Sequence, residues 1–177
     1  PFPLGTGLAL VAAMAAGAAW GAIPGGLRAY RGISEVITTL MLVYVAIQFT
    51  NFLIEGPWLV PNSTWPATPV VPKVFRLPVV WPGTLVNAGI FVAVLAVLVY
   101  AFVVARTTFG LWLRAIGGNE RASEVIGLPN RLMIVAALAA SGAFAGLAGG
   151  VEVLGVRGRL LEGFSPGYGF EAIAIAL

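Results

Sequence analysis

The side chains able to do chemistry are few, and their types limit what that chemistry is. The chain has no Cys and no His. Disulfides, thiolate nucleophiles, histidine metal ligands and histidine general bases are therefore excluded together. Hydrogen bonding and docking remain, and three stretches carry them. In the first, Tyr44, Gln48 and Asn51 stand four and three apart and so share one face of a helix. In the second, Phe164, Tyr168 and Phe170 punctuate the break Gly163–Gly169. Their ring faces suit a base or a sugar, and free N–H groups of a helix starting near Phe170 suit sugar hydroxyls. In the third, residues 106–131, Asn119 is a good helix N-cap with Glu120 in the first turn. There Ala122, Val125 and Ile126 fall at i, i+3 and i+4, and Gly127-Leu128-Pro129 stops the element.

The elements that must hold these groups are apolar. Of all residues 59% are hydrophobic and 10% charged, against roughly 25% charged in soluble domains. Several separate runs are long enough to cross a hydrocarbon core of ~30 Å. A soluble fold would need several wholly buried helices and almost no surface helices, which a chain of this size cannot arrange. The expected fold class is all-α, a polytopic transmembrane helical bundle. The expected spans are Leu4–Ile23, Val36–Ile54, Thr84–Ala105 and Leu132–Leu154, with the start of a fifth near Phe170. We expect a single membrane domain over 1–177, cut from a larger protein at both ends.

Punctuation between the spans sets the expected topology. Pro24-Gly25-Gly26 is expected to end the first helix, and Ser34 to cap the second. Seven prolines between Glu55 and Pro82 exclude a regular helix there. Trp58, Trp65 and Trp81 fit an interfacial aromatic belt. Gly155–Gly169 is expected to be irregular. Basic residues number six on one side (Arg28, Arg31, Arg106, Arg114, Arg121, Arg131) and four on the other (Lys73, Arg76, Arg157, Arg159). The richer side is the cytoplasmic one. A net charge of +3 so distributed marks orientation rather than nucleic-acid binding.

Two glycine stripes, Gly17/Gly21/Gly25 and Gly142/Gly146/Gly150, repeat at four and predict faces on which helix backbones approach closely. The Tyr44–Gln48–Asn51 stripe must face protein or water, since lipid would leave it unpaired. It serves either hydrogen bonding between helices or a translocation path. The break at 163–169 is either a cavity lining or an outer loop with interfacial aromatics. Glu152 and Glu171 lie near the outer boundary, where a solvated or ion-paired carboxylate is expected, with Arg157 and Arg159 near Glu152. The element after Asn119 is a two-turn amphipathic helix, too short to be stable alone in water and so ordered by packing on something else.

The run from Arg114 to Leu128 resembles the cytoplasmic loop of ABC-transporter permeases of the simple-sugar and nucleoside importer branch, which reads Arg-Ala-x-Gly-x-Asn, a pair of Ala, then Gly-Ile. Ser123 and Leu128 depart from it. The segment Glu35-Val36-Ile37-Thr38-Thr39-Leu40-Met41 is similar to one in the nucleoside-type permeases, with Val43 where Asn is common. Thr107-Thr108-Phe109-Gly110, Ser141–Gly149 and Gly163–Phe170 are similar too, in the same order. The resemblance implies a multi-pass permease subunit of the cell membrane that is not itself an enzyme. It implies a second permease subunit, cytoplasmic ATP-binding subunits and an extracytoplasmic solute-binding protein as partners, within the lipid bilayer. Carried over by position, Arg114, Gly117, Asn119, Glu120, Ala122 and Gly127 fall in the ATPase-docking loop. The polar stripe and the irregular break, read from the residues themselves, make Gln48, Asn51, Phe164, Tyr168 and Phe170 the candidate substrate path. No cofactor, metal or nucleic acid is implied. No Gly-x-x-x-x-Gly-Lys-[Ser/Thr] run is present, so ATP must bind a partner. The alternatives are a secondary transporter driven by an ion gradient, which would want charged residues at mid-span where the spans have none, and an integral-membrane enzyme, which would lack most catalytic groups.

Overall fold

The computed structural model describes residues 4–60, 66–81, 83, 84, 86–163, 167, 169, 171 and 175. Their helices are α1 (Leu4–Arg31), α2 (Glu35–Glu55), α3 (Gly89–Arg106), α4 (Thr108–Gly118), α5 (Glu120–Val125) and α6 (Asn130–Glu152), with a 3-10 turn at Lys73–Phe75. Among the described residues four helical segments are long and apolar enough to cross a membrane: α1, α2, α3, and α6 with its extension to Arg157. Among the described residues β-pairing is limited to isolated bridges, Ala67 with Leu161 and Val79 with Asn87.

α1 and α6 form the spine and run antiparallel, because their glycine stripes interlock. A Cβ added at Gly21 would lie 2.5 Å from Leu138 O and 3.1 Å from Gly142 Cα. One added at Gly17 would strike Gly142 O, and one at Gly146 would strike Ala13 O. A Cβ added at Gly25 would lie 3.0 Å from Val135 Cα. In lipid, where apolar burial drives helices together only weakly, such backbone-to-backbone contact is the main source of attraction.

Pro24 does not end α1. It lies buried inside the helix, which continues to Arg31. A proline in a spanning helix is tolerated where a neighbouring helix covers the gap, and α6 does so at Gly25. The stop is Gly32, at φ +66°. Gly32 N donates to Arg28 O, the single bond of an αL closure, and Ile33 N donates to Leu27 O. At 1.5 Å per residue α1 is about 42 Å long, so it outruns the hydrocarbon and carries Arg28 and Arg31 beyond it. Ser34 occupies the N-cap of α2 but its hydroxyl makes no cap bond. Glu35 instead pairs with Arg28 at 3.3 Å.

The end of the bundle where α1 starts is a folded lid of prolines. Val71 N donates to Gly158 O (2.8 Å), Leu77 N to Leu154 O (3.0 Å) and Thr68 N to Leu160 O (3.0 Å). Thr6 Oγ1 donates to Val74 O at 3.3 Å, which ties the start of α1 to the same loop. Leu10, Leu77, Ala88, Leu147 and Leu154 form the buried cluster beneath it. The third span begins at Gly89, not Thr84. Residues 86–88 are taken up by the lid: Val80 N donates to Val86 O and Ala88 N to Pro78 O. Gly155 is also not irregular. α6 runs on through a π-helical turn, Val153–Arg157, which ends at Gly158 with φ +67°. The turn accommodates the Asn87 side chain, which packs on Gly155. Across it Glu152 and Arg157 pair at 2.9 Å, the ion pair expected for that carboxylate.

Asn87 is 7% exposed and its Oδ1 accepts from Gly89 N at 2.8 Å, capping α3. Asn87→Ala is expected to lower stability by about 1–2 kcal/mol through the lost cap, measured by thermal unfolding of the full-length protein in detergent. Asn87→Ser, which keeps a neutral acceptor of good capping type, should recover part of the loss.

Candidate functional site

Loop 106–131 is built as two short helices. Thr107 turns the chain between α3 and α4: its Oγ1 accepts from Gly110 N at 3.4 Å. Gly110 is buried, and a Cβ there would strike the Val104 backbone. Arg114 donates from Nε to Gly110 O at 3.3 Å and from Nη2 to Val104 O, so it fastens α4 back onto α3. α4 has no counterpart in the sequence expectations. Its signal was present: Phe109, Leu113 and Ile116, half-buried in the structure, recur at i, i+4 and i+7, after a capping threonine.

Gly117 and Gly118 are exposed with open space around both. Asn119 Oδ1 then accepts from Ala122 N at 3.0 Å and starts α5. Glu120 stands in its first turn. The helix is one residue shorter than its apolar pattern: Ile126 is the C-cap, and Gly127 closes it at φ +80°, a conformation that favours glycine. Ala122 is exposed, Val125 is 87% exposed and Ile126 73%. The apolar face of α5 therefore meets nothing among the described residues.

The opposite face is anchored by two residues that motif reading passed over. Ser123, a departure from the family pattern, is 2% exposed. Its Oγ is 2.8 Å from Glu120 O and 3.1 Å from Asn130 Oδ1. Asn130 Nδ2 donates to Glu120 O at 2.8 Å. Both are polar groups buried at a surface loop, and such groups need partners. The spacing 123/130 across a Gly-Leu-Pro turn was the available signal.

The end of α1 joins this site. Arg28, Ala29 and Gly32 face Glu120, Glu124, Asn130, Arg131 and Ile134 across a shallow cavity of about 360 Å³. The Arg131 guanidinium lies 5.9 Å from the Tyr30 ring centroid, within cation–π range. Arg28, Arg31, Arg106, Arg114, Arg121 and Arg131 thus belong to the end of the bundle opposite the proline lid.

Of the candidate substrate-path residues, Phe164, Tyr168 and Phe170 lie outside the described residues. Gly169 and Glu171 are helical, in accord with a helix starting near Phe170. Gln48 and Asn51 sit in the C-terminal half of α2. Gln48 is exposed, Asn51 half-buried and Tyr44 68% exposed. Among the described residues α2 touches the other helices chiefly through α1, and nothing covers the polar stripe at Tyr44 and Gln48.

Residues 2–177 match the family model described as "Branched-chain amino acid transport system / permease component". The guanosine ABC transporter permease of Bacillus subtilis is 38% identical over 96% of this chain and 50% of its own length. The glucose ABC transporter permease of Haloferax volcanii is 35% identical over 96% and 47%. The nucleoside ABC transporter permease NupB of Lactococcus lactis is 32% identical over 96% and 49%. The chain thus spans about half the length of these relatives. No solved structure matches it significantly. Four membrane-crossing helices and a family match over nearly the whole chain agree: the chain belongs to this family of transport-system permease components and is a multi-pass protein of the cell membrane.

Proposed function

We propose that the chain belongs to the membrane-spanning permease subunit of a binding-protein-dependent ABC importer. It carries a small polar solute, a nucleoside or simple sugar, while ATP is hydrolysed by a partner subunit docked on loop 106–131. Arg114 and Gly117 shape the approach to the docking helix, Asn119 and Glu120 start it, Ala122 faces the partner and Gly127 ends it. The observation that carries this reading is the state of α5. A six-residue helix is anchored on one side by buried hydrogen bonds and presents Val125 and Ile126 uncovered on the other. A short, partner-dependent amphipathic helix on a cytoplasmic face suits transmission of a rigid-body push.

The substrate class rests on the relatives named for guanosine, nucleosides and glucose. The polar stripe of Tyr44, Gln48 and Asn51, uncovered at Tyr44 and Gln48, belongs to the solute path, together with Phe164, Tyr168 and Phe170. A second permease subunit and an extracytoplasmic solute-binding protein complete the assembly. The relatives are permease subunits, which points away from an enzyme and from an ion-driven carrier.

The test is a cross-link in the full-length protein. With Ala122→Cys, the new thiol should trap a soluble ATP-binding subunit in membranes, and ATP should change the yield at least twofold. A thiol labelled only from outside the cell would overturn both orientation and docking. A thiol that is inside but traps no ATP-binding subunit would favour the ion-driven carrier.

A further inference from the structure

The docking helix is held unequally at its two ends. Towards α4 it is joined by Gly117, Gly118 and Asn119. Both glycines have open space around them, and among the described residues the bond across this joint is a backbone one, Asn119 N to Ala115 O at 3.1 Å. Towards α6 it is fastened by side chains. Ser123, the one buried residue of α5, reaches Asn130 Oδ1, and Asn130 Nδ2 reaches Glu120 O, while Leu128 N donates to Ser123 O at 3.0 Å. Asn130 is the first residue of α6 and is 9% exposed. A buried, mutually satisfied polar network resists distortion, because breaking one member leaves another unpaired. A joint of exposed glycines resists it little.

We infer that Ser123 and Asn130 are positioning residues that make the docking helix move with α6 rather than with α4. A push on α5 is then delivered to the α1–α6 pair, whose interlocked glycine backbones leave no slack between the two helices. Arg131 over Tyr30 adds a second tie between α6 and α1 at the same end. The inference rests on the proposed docking function and assigns it a direction: α6 receives the stroke, and the Gly117–Gly118 joint lets α4 stay with α3, where Arg114 holds it.

The test uses the full-length permease with its ATP-binding subunits and solute-binding protein in proteoliposomes. It reads retained ATP-binding subunit, ATP hydrolysed, and solute taken up per ATP. Ser123→Ala and Asn130→Ala should retain the subunit and hydrolyse ATP within about twofold of wild type. Uptake per ATP should fall at least fivefold. Ser123→Thr, which restores the hydroxyl, should recover more than half of it. A residue with a merely structural role would lower all three readouts together. Because Asn130→Ala could fail to assemble, a second variant joins Ser123→Cys to Asn130→Cys, with the two thiols bridged by a short bifunctional reagent. Transport that survives bridging supports a helix moving with α6, and transport that stops on bridging and returns on cleavage of the bridge overturns it. Unchanged uptake per ATP in Ser123→Ala and Asn130→Ala overturns the inference while docking stands. A wild-type protein that holds no ATP-binding subunit overturns the docking reading and this inference with it.

Discussion

Gly17→Ala and Gly142→Ala each destabilise the protein, although alanine favours a helix over glycine by about 1 kcal/mol. The sign is reversed by what the new methyl meets. At Gly17 it would strike Gly142 O and sit 2.9 Å from Gly146 Cα. At Gly142 it would strike Gly17 O and sit 3.1 Å from Gly21 Cα. These neighbours are backbone, which cannot rotate aside as a side chain would. The helices must separate along the whole interface, and contact over several turns is lost with them. Overpacking typically costs ~1–3 kcal/mol, and each variant should fall at the upper end, near 3 kcal/mol. Gly7→Ala and Gly149→Ala are the controls, on the same two helices but with nothing near the added methyl. They should be neutral or slightly stabilising. Reversible unfolding of the full-length protein in mixed micelles, followed by helix content, ranks the four variants. Equal stability of Gly17→Ala and Gly149→Ala would mean that the stripes do not face each other.

A second large effect is expected where the fold itself has nothing to lose. Val125 and Ile126 are 87% and 73% exposed, so Val125→Asp with Ile126→Asp should change folding stability by no more than about 0.5 kcal/mol. Covered by a partner, each side chain contributes about 1.5–3 kcal/mol of apolar burial. Losing both removes ~3–6 kcal/mol, which at ~1.4 kcal/mol per tenfold means at least about 100-fold weaker binding. Retention of the ATP-binding subunit by the purified full-length permease, at graded subunit concentration, reads this directly, and uptake should collapse in parallel. Unchanged retention would place the docking surface elsewhere on the loop. Weakened retention together with weakened folding would show that α5 packs its apolar face inward.

These two expectations draw on different levels of information. Composition alone requires a membrane bundle, because apolar runs of spanning length with almost no charge leave the chain no soluble alternative. The charge asymmetry gives its expected orientation. The cap at Asn119 and the stop at Gly127 are local devices that act through the next few residues, and they are legible one residue at a time. The same local logic misplaces the end of α1. Pro24-Gly25-Gly26 signals a stop when only its own helix is considered, and the covering helix is supplied by residues more than a hundred positions away. It also misplaces the start of α3 and the end of α6, where the proline lid claims backbone groups from both.

The sequence by itself determined that two small-residue stripes exist, that loop 106–131 is a charged island between apolar runs, and that its short helix presents an apolar face. Each follows from side-chain size, charge or spacing within one segment. Only the tertiary structure decided that the two stripes pack against each other, since spacing shows that a backbone can be approached but not by what. Only it decided that Ser123 reaches Asn130, because a hydrogen bond across a turn depends on where the turn returns the chain. And only it left Gln48 uncovered, since whether a polar stripe finds a partner depends on which helices lie beside it, and among the described residues none does.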